Sequence, residues 1–99
     1  MGTDKQVILI TGCRSGFGLR AAVTAARGGH KVYAGLRDLD TAGPLREAAA
    51  GLDVTPVQLD VTDQGERDAA VARILNEAGQ LDALVNNAGV ALGGFVEQV

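Results

Sequence analysis

The chain has 99 residues, enough for one small domain, which we expect to span residues 1–99. Hydrophobic residues make up 46% of it and the formal net charge is −3, which excludes a disordered chain and argues against nucleic acid or an anionic membrane as a partner. The single cysteine excludes an internal disulfide, and with only one cysteine and one histidine we expect no metal centre built from these residues. The amino-terminal MGTDKQ lacks a basic region followed by a long apolar core, so we predict no signal peptide and a cytoplasmic location.

Four short runs rich in Val, Ile and Leu predict β-strands. In chain order they are QVILIT (6–11), KVYAGL (31–36), VTPVQL (54–59) and LDALVN (81–86). Three of them are almost continuously apolar, which is typical of parallel strands that are covered on both faces. Helix-like segments separate the runs, so the pattern predicts an α/β domain of order βαβαβαβ, with a parallel sheet and helices on both faces.

The predicted helices have recognisable ends. The first follows Gly16 and ends at Gly28, and the second begins near Pro44. The third, over residues 63–79, opens on Asp63, which with a glutamate three residues later forms a candidate capping box. Its predicted buried face consists of Val71, Ile74, Leu75 and Ala78.

Three glycines come shortly after the first strand, where the first helix begins. Gly12, Gly16 and Gly18 have the spacing G-x-x-x-G-x-G, which is wider in its first gap than the common dinucleotide fingerprint. A helix N-terminus offers unpaired N–H groups to a pyrophosphate, and glycines let the phosphates approach the backbone. The alternative is one turn glycine followed by two packing glycines.

The second strand ends KVYAGLRD, where dinucleotide-binding folds meet the adenosine ribose. Apolar Leu36 stands where an acidic residue would repel a 2′-phosphate, and Arg37 can hold that phosphate through two hydrogen bonds. Arg14 would add a second positive contact. These residues favour NADP(H) over NAD(H), unless Arg37 is an ordinary strand-end charge that pairs with Asp38 or Asp40.

The third and fourth strands end in LDVTD and NNAG. Asp60 can accept a hydrogen bond from an adenine amino group while Val61 lies against the ring, or else Asp60 or Thr62 simply caps the next helix. The two asparagines of NNAG, at a buried strand end, can tie neighbouring backbones together, and Ala88 and Gly89 let a ligand come close. Taken singly, NNAG is also compatible with a turn.

Together these motifs resemble the short-chain dehydrogenase/reductase family. TGCRSGFG is similar to its cofactor loop, LDVTD to its adenine-contact strand end and NNAG to its characteristic tetrapeptide, in family order over nearly the whole chain. VYAGLRDL is similar to NADP-preferring members that act on steroids, retinoids or other carbonyls. The resemblance implies a Rossmann-like fold and NAD(P)-dependent hydride transfer between nicotinamide and a carbonyl or secondary alcohol. The cofactor-binding residues that it implies are Gly12, Arg14, Ser15, Gly16, Phe17, Gly18, Arg37, Asp60, Val61, Asn87, Ala88 and Gly89.

The family's catalytic Tyr, Lys and Ser have no counterpart in these 99 residues. The one tyrosine, Tyr33, is followed four positions later by an arginine, the only lysines are Lys5 and Lys31, and the one serine, Ser15, lies in the glycine loop. We therefore name no catalytic residue and expect this chain alone to be inactive. Family members run on well beyond this length, so we expect an incomplete domain, without its C-terminal strands, from a parent that acts on a small molecule and forms homo-oligomers.

Two other functions stay open. The chain can be a non-catalytic nucleotide-binding or interaction module that a partner chain completes through the open edge of its sheet. It can also be a Rossmann-type protein for a different nucleoside such as S-adenosylmethionine, although Arg37 and NNAG argue against that.

Overall fold

The structure is a computed structural model that describes residues 5–13 and 16–86. Its elements in chain order are β1 (Val7–Ile10), α1 (Gly16–Arg27), β2 (Lys31–Leu36), a 3-10 turn (Leu39–Thr41), α2 (Gly43–Ala48), β3 (Val54–Gln58), α3 (Gln64–Ala78) and β4 (Ala83–Val85). The predicted βαβαβαβ order is confirmed. Three of the four strands are shorter than predicted: β1 lacks Gln6 and Thr11, β3 lacks Leu59, and β4 lacks Leu81, Asp82 and Asn86.

The sheet is parallel, with the strand order β3-β2-β1-β4. Ile8 pairs with Val32 of β2 on one side and with Ala83 of β4 on the other. β2 and β3 therefore lie in sequence on one side of β1, and the chain then crosses over so that β4 pairs with the other side of β1. In open α/β sheets, ligands bind beyond the carboxyl ends of the strands at such a reversal.

Both faces of the sheet are covered by helices, as predicted. Val7 and Leu9 of β1 belong to the same buried cluster as Ile74 of α3. The alternate residues of β1, among them Ile10, pack with Ala22 of α1 and with the buried part of α2. Two apolar faces explain why the strand sequences are apolar almost throughout rather than alternating.

Helix α3 shows the caps that the sequence predicts, with two corrections. Asp63 accepts a hydrogen bond from the backbone N–H of Glu66 at 3.1 Å, and Gly79 ends the helix with a positive φ of 80°. The Glu66 carboxylate, however, does not close a capping box on Asp63; it accepts from the backbone N–H of Asp60 at 2.7 Å. Leu75 is 48% exposed, because the side of α3 that faces the sheet is centred on Ala70 and Ile74.

Candidate functional site

A cavity of about 470 Å³ lies beyond the carboxyl ends of β1, β2 and β3. This volume falls within the range of small-molecule sites. Its lining residues are the last residue of β2 and residues of the segments that follow the three strands, namely Gly12, Cys13, Leu36, Arg37, Asp38, Thr41 and Asp60. The topology thus brings together the glycine turn, the end of the second strand and the LDVTD segment, as the motifs predict.

The glycine turn leaves β1 and passes over the end of β2. The backbone N–H of Thr11 donates to Val85 O at 3.0 Å, and that of Cys13 donates to Gly35 O at 3.0 Å. Between them Gly12 is exposed to the cavity and has a φ of +69°, a conformation that favours glycine. Arg14 and Ser15, also predicted to bind the cofactor, lie outside the described residues.

Helix α1 begins directly after this turn, and its N-terminus is electrostatically suited to an anion. Its first turn contains no acidic residue, so no carboxylate of its own offsets the positive end of the helix dipole. Gly16 and Phe17 are exposed there, Phe17 to 76%, whereas Gly18 is buried. A negatively charged group is therefore the ligand that this helix end would stabilise.

The end of β2 presents Arg37 to solvent. Its side chain is 83% exposed, and its Nε lies 3.8 Å from Asp60 Oδ2, a long contact for an ion pair at the surface. The alternative pairing with Asp38 or Asp40 does not occur among the described ion pairs. The Asp38 carboxylate instead accepts from the backbone N–H of Asp40 at 2.9 Å and caps the 3-10 turn.

The LDVTD segment places Asp60 beside Arg37. Its Oδ1 accepts hydrogen bonds from Thr62 Oγ1 at 2.6 Å and from the Thr62 N–H at 3.0 Å, and these bonds lower the pKa of the Asp60 carboxyl. Neither Asp60 nor Thr62 caps α3, since Asp63 does so. Val61 is only 5% exposed, and its side chain packs in the core on the α3 face of the sheet.

Two side chains of α3 that the sequence did not single out for the site fix this segment. Arg67 Nη1 donates to Val61 O at 2.6 Å, and the Glu66 carboxylate accepts the N–H of Asp60. A charged residue in the first turn of a helix carries no sequence signal for such a role, because the same residue is common there as a capping or solvated group. The residues lining the cavity from the 3-10 turn, Asp38 and Thr41, were not predicted either.

The ends of β1 and β4 are joined by side chains. Thr11 is 1% exposed, and its Oγ1 donates to Asn86 Oδ1 at 3.1 Å. This contact links the ends of β1 and β4 through two side chains, whereas the sequence predicts that the asparagines of NNAG tie neighbouring backbones together. Asn87, Ala88 and Gly89 lie outside the described residues.

Cys13 borders the cavity, but its thiol is buried. It is fully buried, its Sγ donates to Ile10 O at 3.1 Å, and burial raises the pKa of the thiol to about 12. A thiol in this state stays protonated and packs as a small apolar group.

Residues 5–13 and 16–86 contain no group of three or more His, Cys, Asp or Glu side chains arranged to hold a metal ion. No helix in this part of the chain is long and apolar enough to cross a membrane.

Known proteins resemble this chain in sequence and in fold. Estradiol 17-beta-dehydrogenase 1 of Rattus norvegicus is 45% identical over 100 residues, which cover 95% of this chain and 29% of that protein. Retinol dehydrogenase 8 of Bos taurus is 43% identical over 105 residues, which cover 98% of this chain and 32% of that protein. The apo form of glucose dehydrogenase of Caenorhabditis elegans superposes with a TM-score of 0.77 at 37% identity, covering 87% of this chain and 38% of that one.

The chain spans about a third of the length of the curated relatives that it matches. Within that span the resemblance extends over almost every residue, since the family model described as short chain dehydrogenase matches residues 6–99. The match includes all four strands of the sheet and the segments that surround the cavity. The chain therefore belongs to the short-chain dehydrogenase family, whose members are oxidoreductases with a Rossmann-like fold that bind nicotinamide nucleotides.

Proposed function

We propose that this chain is the cofactor-binding part of an NADP(H)-preferring oxidoreductase. When bound, the nicotinamide nucleotide would supply or accept a hydride, and the carbon at the other end of that transfer would be a carbonyl or a secondary alcohol. Family membership supports the oxidoreductase role. The preference for NADP(H) rests on one observation, the exposed Arg37 at the mouth of the cavity directly after buried Leu36.

The residues around the cavity fit a dinucleotide that carries an extra phosphate. The N-terminus of α1 would hold the pyrophosphate, and Gly12 would let it approach because no Cβ projects there. The Arg37 guanidinium would donate two hydrogen bonds to the 2′-phosphate of the adenosine ribose. Asp60 keeps one oxygen on Thr62, and its other oxygen, which now lies beside Arg37, would accept from the adenine amino group.

The remaining cofactor contacts are proposed from the family resemblance alone. They involve Arg14, Ser15, Gly16, Phe17, Gly18, Val61, Asn87, Ala88 and Gly89. Contact between Val61 and an adenine ring would be confined to the small exposed part of that residue.

The chain's single tyrosine does not serve as the acid–base group in this proposal. Tyr33 is fully buried in β2, and its hydroxyl donates to Glu77 Oε1 at 3.0 Å on the α3 side of the sheet. We propose that residues 1–99 form one partial domain that binds and orients the nucleotide without turning over a substrate. The small carbonyl or alcohol substrate, the homo-oligomeric state of the parent and its cytoplasmic location stay predictions.

Calorimetric titration of the purified chain with NADPH and with NADH tests this proposal. We expect NADPH to bind about ten- to a hundredfold more tightly, the difference that a charged hydrogen-bonded contact to one phosphate supplies. Equal affinities would remove the NADP(H) preference but keep the dinucleotide site. Failure of both nucleotides to bind would contradict the assignment of the cavity as a cofactor site.

A further inference from the structure

The side chain of Gln58 bridges two parts of the segment that carries Arg37. Gln58 is the last residue of β3 and pairs in register with Leu36, the last residue of β2. Its Nε2 donates to the backbone carbonyl of Arg37, and its Oε1 accepts from the backbone N–H of Leu39 at 3.4 Å. The amide of Gln58 thus donates to the first residue of the three-residue stretch 37–39 and accepts from the last.

This stretch begins where the β-ladder ends. The last ladder bond in the region runs from the N–H of Leu59 to Leu36 O at 2.7 Å. Further along, the carbonyl of Asp38 accepts from the N–H and the hydroxyl of Thr41, which holds the 3-10 turn together. Between ladder and turn, the hydrogen bonds described here that join the backbone of Arg37 and Leu39 to the sheet are those of Gln58.

The direction of the Arg37 side chain therefore depends on its backbone. The Arg37 side chain is 83% exposed, and its one described ion contact, to Asp60, is 3.8 Å long. So weak a contact holds a long, flexible side chain poorly, and the entropy of ordering it opposes phosphate binding. A backbone that is fixed in advance reduces that cost when a ligand binds.

We infer that Gln58 is a positioning residue for recognition of the 2′-phosphate, acting through the backbone of Arg37 and Leu39. This inference rests on the proposed function, since it gives a second residue to the same NADP(H) preference. The amide of glutamine is required because one side chain must offer both a donor, to Arg37 O, and an acceptor, to the N–H of Leu39. Methionine has a similar length and volume but offers neither group.

The test compares adenosine 2′,5′-bisphosphate with adenosine 5′-monophosphate, two ligands that differ only in the 2′-phosphate. We expect Gln58→Met to lower the affinity ratio of the bisphosphate over the monophosphate by about three- to tenfold, as expected for one or two neutral hydrogen bonds. The affinity of the Gln58→Met variant for the monophosphate should differ from that of the wild type by less than about twofold. Gln58→Thr, a good strand former that is too short to bridge, should behave in the same way.

Two controls separate positioning from a general loss of structure. Gln80 is an exposed glutamine at the opposite end of the strands whose amide donates to Asp82 at 2.7 Å, so Gln80→Met removes a comparable bond far from the cavity and should leave the ratio unchanged. In an Arg37→Ala background, Gln58→Met should no longer change the ratio, because the two residues act through one contact.

The outcomes distinguish this inference from the proposed function. If the wild-type chain prefers the bisphosphate and Arg37→Ala removes that preference, but both Gln58 variants keep the wild-type ratio, the inference alone is overturned. An equal loss of affinity for both ligands in the Gln58 variants also overturns it, since Gln58 would then only support the fold. A wild-type chain without any preference overturns the NADP(H) proposal and the inference together.

Discussion

Replacing Arg37 with alanine is expected to weaken NADPH binding by about ten- to a hundredfold, because charged hydrogen bonds to the 2′-phosphate contribute about 1.5–3 kcal/mol. The affinity for NADH should change by less than about twofold, since the neutral 2′-hydroxyl of its ribose forms no charged contact with the guanidinium. The side chain is 83% exposed, so its removal opens no hole in the core. Calorimetric titration of the variant with both nucleotides measures the two effects.

Arg27→Ala is the matched control for this variant. Arg27 is exposed in the last turn of α1, at the end of the helix that lies away from the cavity, and its loss removes the same charge. If Arg27→Ala weakened NADPH binding as much as Arg37→Ala does, the effect would come from the net charge of the chain rather than from a phosphate contact. Equal weakening of NADPH and NADH in Arg37→Ala would likewise argue against recognition of the 2′-phosphate.

Gly12→Ala is expected to weaken NADPH and NADH alike, by about tenfold or more, because a Cβ at this turn would push the pyrophosphate away from the helix end. The residue lines the cavity and has a φ of +69°. The same conformation should destabilise the folded chain by about 1 kcal/mol, since residues with a side chain rarely adopt it. Titration with both nucleotides and urea unfolding measure the two consequences separately.

Gly51→Ala is the matched control, because it introduces the same backbone strain at a glycine that does not line the cavity. Gly51 has a φ of +81°, and a Cβ built there meets no atom within 4 Å. This variant should lose similar stability and bind both nucleotides as the wild type does. If Gly51→Ala weakened nucleotide binding to the same extent, the effect of Gly12→Ala would reflect stability alone, and close approach of a phosphate at Gly12 would be contradicted.

Features of the fold that depend on local sequence could be predicted. The strands appear as continuous apolar runs because helices cover both faces of the sheet, and α3 lies between its cap residues, Asp63 and Gly79. The burial of Leu75, in contrast, could not be predicted from local sequence. Leu75 and Ile74 both fit a helical apolar stripe, and only the rotation of α3 against the sheet decides which of them is buried.

Contacts between distant residues in the site could not be predicted in the same way. The sequence offers Asp38 and Asp40 as neighbours of Arg37, yet Asp60 is its described partner because parallel strands bring their carboxyl ends to one edge. Gln58 gave no signal at all, since an exposed glutamine at a strand end is ordinary. Its bridge to Arg37 and Leu39 requires the register between β2 and β3, which an apolar pattern does not specify.

A nicotinamide dinucleotide bound at the carboxyl ends of the strands would change the environment of the residues that line the cavity. Backbone amide chemical shifts of the isotope-labelled chain, recorded during titration with NADPH, reveal where it binds. We expect the largest shifts at Gly12, Arg37 and Asp60, and none at Lys31 and Asp53, whose side chains pair with each other at the amino ends of β2 and β3. Unchanged spectra, or shifts centred on Lys31 and Asp53, would contradict binding at the carboxyl ends of the strands.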